Sequence, residues 1–116
     1  MKLTERRMRV LLKIQESPWR LFENDRDAAL LAGAGLIVAT ERWSNGTVLF
    51  CITTSGRKLL RKAILKRLED GRDHLLNRAE CISARGLKKA GLVEYLGLNH
   101  YRITPAGRDA LDKERG

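Results

Sequence analysis

Basic side chains are the residues of this sequence best placed to bind a ligand. Within residues 57–67, Lys58, Lys62 and Lys66 follow one another at intervals of four residues, and no acidic residue appears before Glu69. Lysine and arginine form charge-assisted hydrogen bonds with phosphates and carboxylates. The run therefore predicts contact with an anionic partner, and the alternative is a solvated helix surface.

The charge balance favours the same chemistry. The chain of 116 residues has a net charge of +9. Residues 1–54 contain 8 basic and 6 acidic residues (8 − 6 = +2), whereas residues 55–116 contain 15 and 8 (15 − 8 = +7). Basic surfaces raise both affinity and encounter rate for phosphate backbones. We therefore expect a polyanion partner, the alternative being a small protein that is simply basic.

Other classes of chemistry find no support in the sequence. It has no Gly-rich phosphate loop and no nucleophile motif, so we expect no enzyme and no cofactor. Cys51 and Cys81 lie among apolar neighbours without clustered histidines, which predicts two buried free thiols and no metal site. The N-terminus lacks the apolar run of a signal peptide, and no stretch approaches the length of a membrane span. These features predict a cytoplasmic protein.

Two copies of one phrase organise the chain. AGLI at residues 34–37 precedes ITTSGR at 52–57, and AGLV at 90–93 precedes ITPAGR at 103–108. Such internal repetition predicts two related units. In each copy the threonine is placed to cap a helix, and we expect the glycine to let the start of that helix pack closely against a neighbour.

Local patterns place the elements of the first half. Helices are predicted from Thr4 to about residue 16, from Asp27 to about residue 34 after a cap at Asn24 or Asp25, and from Thr53 to about residue 69. Between the first two helices, Trp19, Leu21 and Phe22 are expected to insert into the core through one helical turn.

A β-hairpin follows the second helix. Its strands are predicted at residues 36–40 and 47–53, and Asn45-Gly46 indicates a type I′ turn. Arg42, Trp43 and Asn45 near the tip are candidate partner contacts. The alternative for Trp43 is that it folds back onto the hairpin.

The second half is predicted to begin with a short helix that includes residues 74–76. A turn at 80–82 and a helix from Ser83 through Lys89 follow, and a second hairpin then surrounds Gly97-Leu98-Asn99. This hairpin has two interpretations. In the first, nucleic acid is contacted by Asn99, His100 and Arg102. In the second, a structural alternative, Tyr95 and Tyr101 pack across the strands and Arg102 pairs with Glu94.

The chain resembles the second half of a winged helix-turn-helix domain in the order of three features. These are the motif Leu-x-x-Ala-Gly-Leu, a two-stranded ribbon, and the motif Ile-Thr-x-x-Gly-Arg. The resemblance covers residues 83–111 well and residues 28–60 less well. It implies an α+β fold that is mainly α with two small hairpins. Two tandem winged-helix-like units, residues 1–54 and 55–116, would share a central helix and one fused core.

This family places the helix before the wing in the major groove of DNA, where arginine reads guanine. The resemblance therefore implies that Ser83, Arg85 and Lys89 face the groove. The first unit departs from the pattern, because Arg26 is the only basic residue of its corresponding helix. The full predicted set of nucleic-acid contacts is Lys58, Arg61, Lys62, Lys66, Ser83, Arg85, Lys88, Lys89, Asn99, His100 and Arg102.

The sequence thus predicts a small basic protein that binds double-stranded DNA, a bacterial or phage transcriptional regulator. The alternative is a winged-helix module that binds a protein, or inhibits a larger assembly, without binding DNA. Double-stranded RNA is a further alternative, because phosphate contacts distinguish the two poorly. A two-fold operator would require a homodimer, which the sequence leaves open.

Overall fold

Apolar periodicity and helix caps set the order of elements along the chain. In the computed structural model, which describes residues 3–115, these residues form five helices and six strands. The helices are α1 (Glu5–Glu16), α2 (Arg26–Gly33), α3 (Thr54–Arg67), α4 (Arg78–Lys89) and α5 (Pro105–Arg115). The strands are β1 (Trp19–Phe22), β2 (Ile37–Arg42), β3 (Thr47–Ile52), β4 (His74–Leu75), β5 (Val93–Gly97) and β6 (His100–Ile103).

The same succession of helix, strand, helix, two strands and helix occurs twice, and α3 ends the first series and begins the second. Each series contains one antiparallel three-stranded sheet, with strand orders β1-β3-β2 and β4-β6-β5. The predicted α+β class is confirmed. Each predicted hairpin gains a third, short strand that comes from upstream in the sequence.

The chain divides into two compact units, Met1–Leu60 and Arg61–Gly116, and the boundary falls inside α3. The sequence places the boundary at residue 54 instead. With the observed boundary, the first unit carries 10 basic and 6 acidic residues (10 − 6 = +4) and the second 13 and 8 (13 − 8 = +5). Positive charge is therefore shared almost evenly between the two units. The shared core stays a prediction.

The first copy of the repeated phrase ties the start of α3 to the end of α2. The Thr53 hydroxyl donates to the carbonyl oxygen of Gly35 at 2.6 Å and accepts from the Gly56 amide at 3.1 Å. The Thr53 amide donates to the Leu36 oxygen at 3.1 Å. A Cβ atom on Gly56 would lie 2.2 Å from that same oxygen. The glycine is therefore required for this close approach, as the sequence predicts.

The second copy builds the same arrangement, which we call the Thr–Gly clasp, at the start of α5. The Thr104 hydroxyl donates to the Gly91 oxygen at 2.7 Å and accepts from the Gly107 amide at 3.1 Å. The Thr104 amide donates to the Leu92 oxygen at 3.1 Å, and a Cβ on Gly107 would lie 2.1 Å from it. The repeated phrase therefore encodes a structural junction.

The predicted helical turn at Trp19 is wrong. Residues 19–22 form β1 and pair with β3 in the register Trp19↔Phe50 to Phe22↔Thr47. Trp19 and Phe22 are exposed and Leu21 is half-buried, so none of the three is fully inserted into the core. Pairing with β3 satisfies the backbone of this segment without burying its large side chains.

The type I′ turn predicted at Asn45-Gly46 is also wrong. Gly46 has a φ of 84°, but Asn45 is not among the described residues with positive φ. A type I′ turn instead fits the second hairpin, where Leu98 (φ 49°) and Asn99 (φ 65°) are both left-handed. The predicted helix at 74–76 is likewise replaced, because His74 and Leu75 form β4 and pair with Tyr101 and His100.

Both units contribute buried apolar side chains. Cys81 is buried as predicted, whereas Cys51 is only half-buried. The buried side chains of the first unit include Leu11, Ile14, Leu31, Ile37, Val48, Phe50 and Leu60, and those of the second include Ile64, Leu68, Leu76, Leu87, Val93, Tyr101 and Leu111.

Candidate nucleic-acid interface

Helix α4 carries four of the predicted contacts, Ser83, Arg85, Lys88 and Lys89, and a capping box fixes its start. The Asn77 side chain accepts from the Glu80 amide at 2.9 Å, and the Glu80 carboxylate accepts from the Asn77 amide at 3.0 Å. This reciprocal pair satisfies two of the amides that a helix start leaves open. The helix therefore begins at Arg78 and includes the residues predicted to form a turn.

The predicted role of Ser83 is wrong. Ser83 lies in the middle of α4 rather than at its cap, and only 1% of the residue is exposed. It belongs to the core-facing side of the helix, together with Ala84 and Leu87. A side chain buried in this way does not face a groove of DNA.

The exposed side of α4 is basic. Arg78, Arg85 and Lys89 stand at positions i, i+7 and i+11, which places them along one side of the helix. All three are exposed, and we call them the basic face of α4. The acidic residue of the helix, Glu80, is buried and forms an ion pair with Arg67. No acidic side chain of α4 therefore interrupts the basic face.

Arg61 adds a fourth cation beside this face. A Cβ atom on Gly86 would lie 2.7 Å from Nε of Arg61 and 3.0 Å from both Cζ and Nη2. The guanidinium group of Arg61 therefore rests directly on the backbone of α4 at Gly86. In the described part of the chain, no carboxylate lies within ion-pair distance of Arg61, Arg85 or Lys89.

Lys88 lies on a different side of α4. Its Nζ is 5.4 Å from the ring centroid of Tyr95, close enough for a cation–π interaction. The Tyr95 ring is in turn 5.2 Å from the Tyr101 ring. Lys88 is exposed, and this contact gives it a structural role within the second unit.

The predicted lysines of α3 have unequal surroundings. Lys62 forms an ion pair with Glu114 at 3.1 Å. Lys58 and Lys66 are exposed, and among the described residues neither has a carboxylate within ion-pair distance. Lys58 belongs to the first unit, whereas Lys62 and Lys66 belong to the second. Lys66 is therefore the lysine of this helix that the second unit leaves available to an anion.

The second hairpin matches the structural alternative. Arg102 donates to one oxygen of Glu94 from Nε at 2.8 Å and from Nη2 at 2.5 Å. Nδ1 of His100 lies 3.6 Å from the Asp73 carboxylate. Asn99 occupies the left-handed turn, and its carbonyl oxygen accepts from the Leu76 amide at 2.9 Å. The Arg102 and His100 side chains, both expected to meet phosphate, thus already lie beside carboxylates.

The predicted contacts of the first hairpin also have structural partners. The Arg20 guanidinium lies over the Trp43 ring at 3.9 Å from its centroid, so Trp43 folds back onto the sheet. Arg42 forms an ion pair with Glu23. Asn45 accepts from the Thr47 amide at 3.1 Å and from its hydroxyl at 2.6 Å. These bonds close the turn.

Arg85 influences two buried groups of the second unit. Burial raises the pKa of the Cys81 thiol and of the Tyr101 hydroxyl, and the positive charge of Arg85 acts in the opposite direction on both. Burial dominates, because removing a group from water disfavours its charged form. The pKa values of both groups are therefore raised, not lowered as activation of a thiolate or phenolate nucleophile requires.

The histidines do not form a metal centre in the described residues, which contain no cluster of three or more ligands able to hold a metal ion. Nε2 of His74 lies 2.8 Å from an Asp70 oxygen, and this hydrogen bond is the main cause of the lowered pKa of the Asp70 carboxyl. None of the helices in the described range has the length and apolar character of a membrane span.

Two residues in or beside the basic face were not predicted from the sequence. Arg78 lies between the helix predicted at residues 74–76 and the turn predicted at 80–82, and Gly86 becomes informative only with Arg61 in place. The signal for Arg78 is present, since Asn77-x-x-Glu80 has the spacing of a capping box. No local pattern predicts the contact of Arg61 with Gly86, because 25 positions separate them (86 − 61 = 25).

Comparison with protein-family models, with curated proteins and with solved structures found no match to this chain.

Proposed function

We propose that this chain binds double-stranded DNA, and that the basic face of α4 together with Arg61 contacts its phosphate backbone. The observation that carries the proposal is the concentration of three cations, Arg61, Arg85 and Lys89, that have no carboxylate within ion-pair distance in residues 3–115. Arg61, Arg85 and Lys89 gather on and beside one side of a helix, although like charges repel each other. A fold needs no such arrangement, whereas a polyanion offsets its cost.

The dimensions of α4 suit a DNA groove. From Arg78 to Lys89 the basic face extends about 16 Å, since a helix rises about 1.5 Å per residue. A helix with its side chains is about 10–12 Å wide, which is close to the width of the major groove, about 12 Å. Arg85 stands between Arg78 and Lys89 on this face.

The proposal includes the winged-helix interpretation in a reduced form. The helix before the wing would be α4, and the wing would be the hairpin of β5 and β6. The described residues contain one helix between β4 and β5, where the resembled family has a helix-turn-helix pair. We propose that α4 alone fills the groove and that the protein is a bacterial or phage regulator acting in the cytoplasm.

A salt series measured by fluorescence anisotropy tests the proposal with a labelled random-sequence duplex of about 20 base pairs. If Arg61, Arg78, Arg85 and Lys89 each neutralise one phosphate, the log–log slope is about −0.9 × 4, or about −3.6. Affinity should then fall about 150-fold between 50 and 200 mM salt. Absence of binding at 50 mM salt would refute the proposal.

A double variant tests the location of the site. Arg85→Ala with Lys89→Ala should reduce the slope by about 1.8, because two phosphate contacts are lost. The matched control is Arg9→Ala with Arg26→Ala, which removes the same charge from exposed positions of the first unit. Equal losses in the two double variants would show that net charge, and not α4, determines binding.

A protein partner is the second candidate, and one observation favours it. The second sheet exposes large apolar side chains, with Leu98 exposed to 87% and Leu75 to 62%. Isolated exposed leucines are common, but two near the same turn form a patch of the kind that marks interaction sites. Under the DNA proposal, Leu75→Ser with Leu98→Ser leaves duplex binding unchanged. Loss of binding in that variant would move the interface to this patch.

A further inference from the structure

Gly86 is an unexpected residue for its position. It lies inside α4, three residues before the helix ends, and it is not among the glycines with positive φ. Its backbone conformation is therefore one that alanine adopts readily. Glycine in a helix interior is less favourable than alanine, because it loses more conformational freedom on folding. The requirement for glycine must come from what lies against it.

The group against Gly86 is the guanidinium of Arg61. All three of its nearest atoms, Nε, Cζ and Nη2 at 2.7–3.0 Å from an added Cβ, belong to that group. No backbone atom is among them. A methyl group at this position would therefore displace the end of one flexible side chain and leave the two helices free to keep their places. Gly86 thus matters for the position of Arg61 more than for the fold.

The space beside Gly86 holds the Arg61 guanidinium close to the other cations of α4. Arg85 precedes Gly86 in the sequence, and Lys89 follows it by three residues, on the same or the adjacent side of the helix. In the described residues, no carboxylate pairs with Arg61 there. An arginine that packs flat on a helix backbone keeps its planar set of donors fixed in direction, as bidentate binding of phosphate requires.

We propose that Arg61, held on Gly86, binds one phosphodiester group of the DNA backbone in a bidentate manner, and that Gly86 is the positioning residue of this contact. The inference rests on the DNA-binding function proposed above and assigns the chemistry of one part of that site. Lysine at position 61 would retain the charge but not the fork of donors. The other cations of α4 would contact neighbouring phosphates independently.

The experiment compares Gly86→Ala, Arg61→Ala and the double variant in the anisotropy salt series, using the full chain and the same duplex. Each single variant should lower the log–log slope by about 0.9, which is the loss of one phosphate contact. The double variant should equal Arg61→Ala alone, because the glycine acts only through the arginine. Arg61→Lys should retain the slope and bind more weakly than the wild type.

The matched control is Gly33→Ala. It makes the same chemical change at a helix position where nothing lies within 4 Å of the added Cβ, so duplex binding should not change. Circular dichroism should show that Gly86→Ala is folded and at least as stable as the wild type, since alanine is the better helix former. Weaker binding by a protein of unchanged or greater stability is the signature of a positioning role.

The outcomes separate this inference from the function on which it rests. If the wild type fails to bind the duplex at 50 mM salt, the proposed function itself fails. If the wild type binds but Arg61→Ala matches it in slope and affinity, the phosphate contact is overturned while DNA binding stands. If Arg61→Ala loses a contact but Gly86→Ala does not, the role of the glycine is overturned.

Discussion

The Thr–Gly clasp gives the sharpest stability prediction, at Gly107. An added Cβ would lie 2.1 Å from the Leu92 carbonyl oxygen, whereas ordinary contacts begin at 3.4 Å. The carbonyl and helix α5 must therefore separate by about 3.4 − 2.1 = 1.3 Å. Such a movement would break the 3.1 Å hydrogen bond from the Thr104 amide to the same oxygen.

The expected cost of Gly107→Ala follows from these two effects. Forced overpacking costs about 1–3 kcal/mol, and loss of the hydrogen bond costs about 1 kcal/mol more. The free energy of unfolding should therefore fall by about 2–4 kcal/mol, a large part of the roughly 5–15 kcal/mol typical of a folded protein. Gly56→Ala should have a similar effect, because its Cβ would lie 2.2 Å from the Leu36 oxygen.

Urea unfolding followed by circular dichroism at 222 nm measures this loss. Gly33→Ala is the control, since its added methyl meets nothing within 4 Å and alanine is the better helix former. The control should be as stable as the wild type or up to about 1 kcal/mol more stable. If Gly107→Ala lost less than about 0.5 kcal/mol, which is within the usual range of neutral substitutions, the clasp would not be needed for stability.

Three further predictions concern single side chains. Leu98→Asn should stabilise the protein by about 1 kcal/mol, since asparagine tolerates the left-handed backbone that leucine resists and an 87% exposed leucine contributes little packing; a lower urea midpoint would contradict this. Asn77→Ala should cost about 1–2 kcal/mol through loss of the capping box, whereas Asn77→Ser should restore most of that stability, both measured by urea unfolding. In the folded protein at pH 8, iodoacetamide should modify half-buried Cys51 before buried Cys81, as followed by mass spectrometry. Burial raises the pKa of the Cys81 thiol, so its reactive thiolate forms only at higher pH and its alkylation should accelerate as pH rises; equal rates for the two thiols would refute this.

Features encoded by neighbouring residues could be predicted from the sequence. Thr4 and Asp25 cap the first two helices as expected, accepting from Arg7 and Ala28 amides at 3.2 and 2.9 Å. The clasp at Gly56 could also be predicted, because a threonine cap and a nearby glycine form a local pattern. In each case, the chemistry lies within a few residues.

Features that depend on distant pairing could not be predicted. Strands β1 and β4 are short and expose Trp19 and Leu75, so they lack the alternation of a half-buried strand. They form because β3 and β6 offer unpaired edges. The start of α4 was misplaced for a different reason, since Ser83 has the chemistry of a cap whereas Asn77 makes the actual one.

For the candidate site, the sequence predicted the kind of side chain involved but not which of these side chains are already paired. Arg85 and Lys89 could be chosen as exposed cations of a helix, and both are exposed. The sequence left two roles open for Arg102, contact with phosphate and pairing with Glu94, and the strand register that places Glu94 beside it decides for the pair. Charge runs indicate a kind of ligand, whereas cross-strand neighbours decide which charges are already paired.

The position of the unit boundary within α3 has a consequence for cooperativity. The boundary leaves residues 54–60 in the first unit and 61–67 in the second, seven helical residues on each side. Isolated helices shorter than about 12–15 residues are marginal in water, because nucleation is costly. If one half of α3 melted, the other half would lose the backbone hydrogen bonds that join the two halves. Disorder in one unit would therefore propagate along the helix. The two units should therefore lose structure in a single calorimetric transition, as one folding unit with two similar parts.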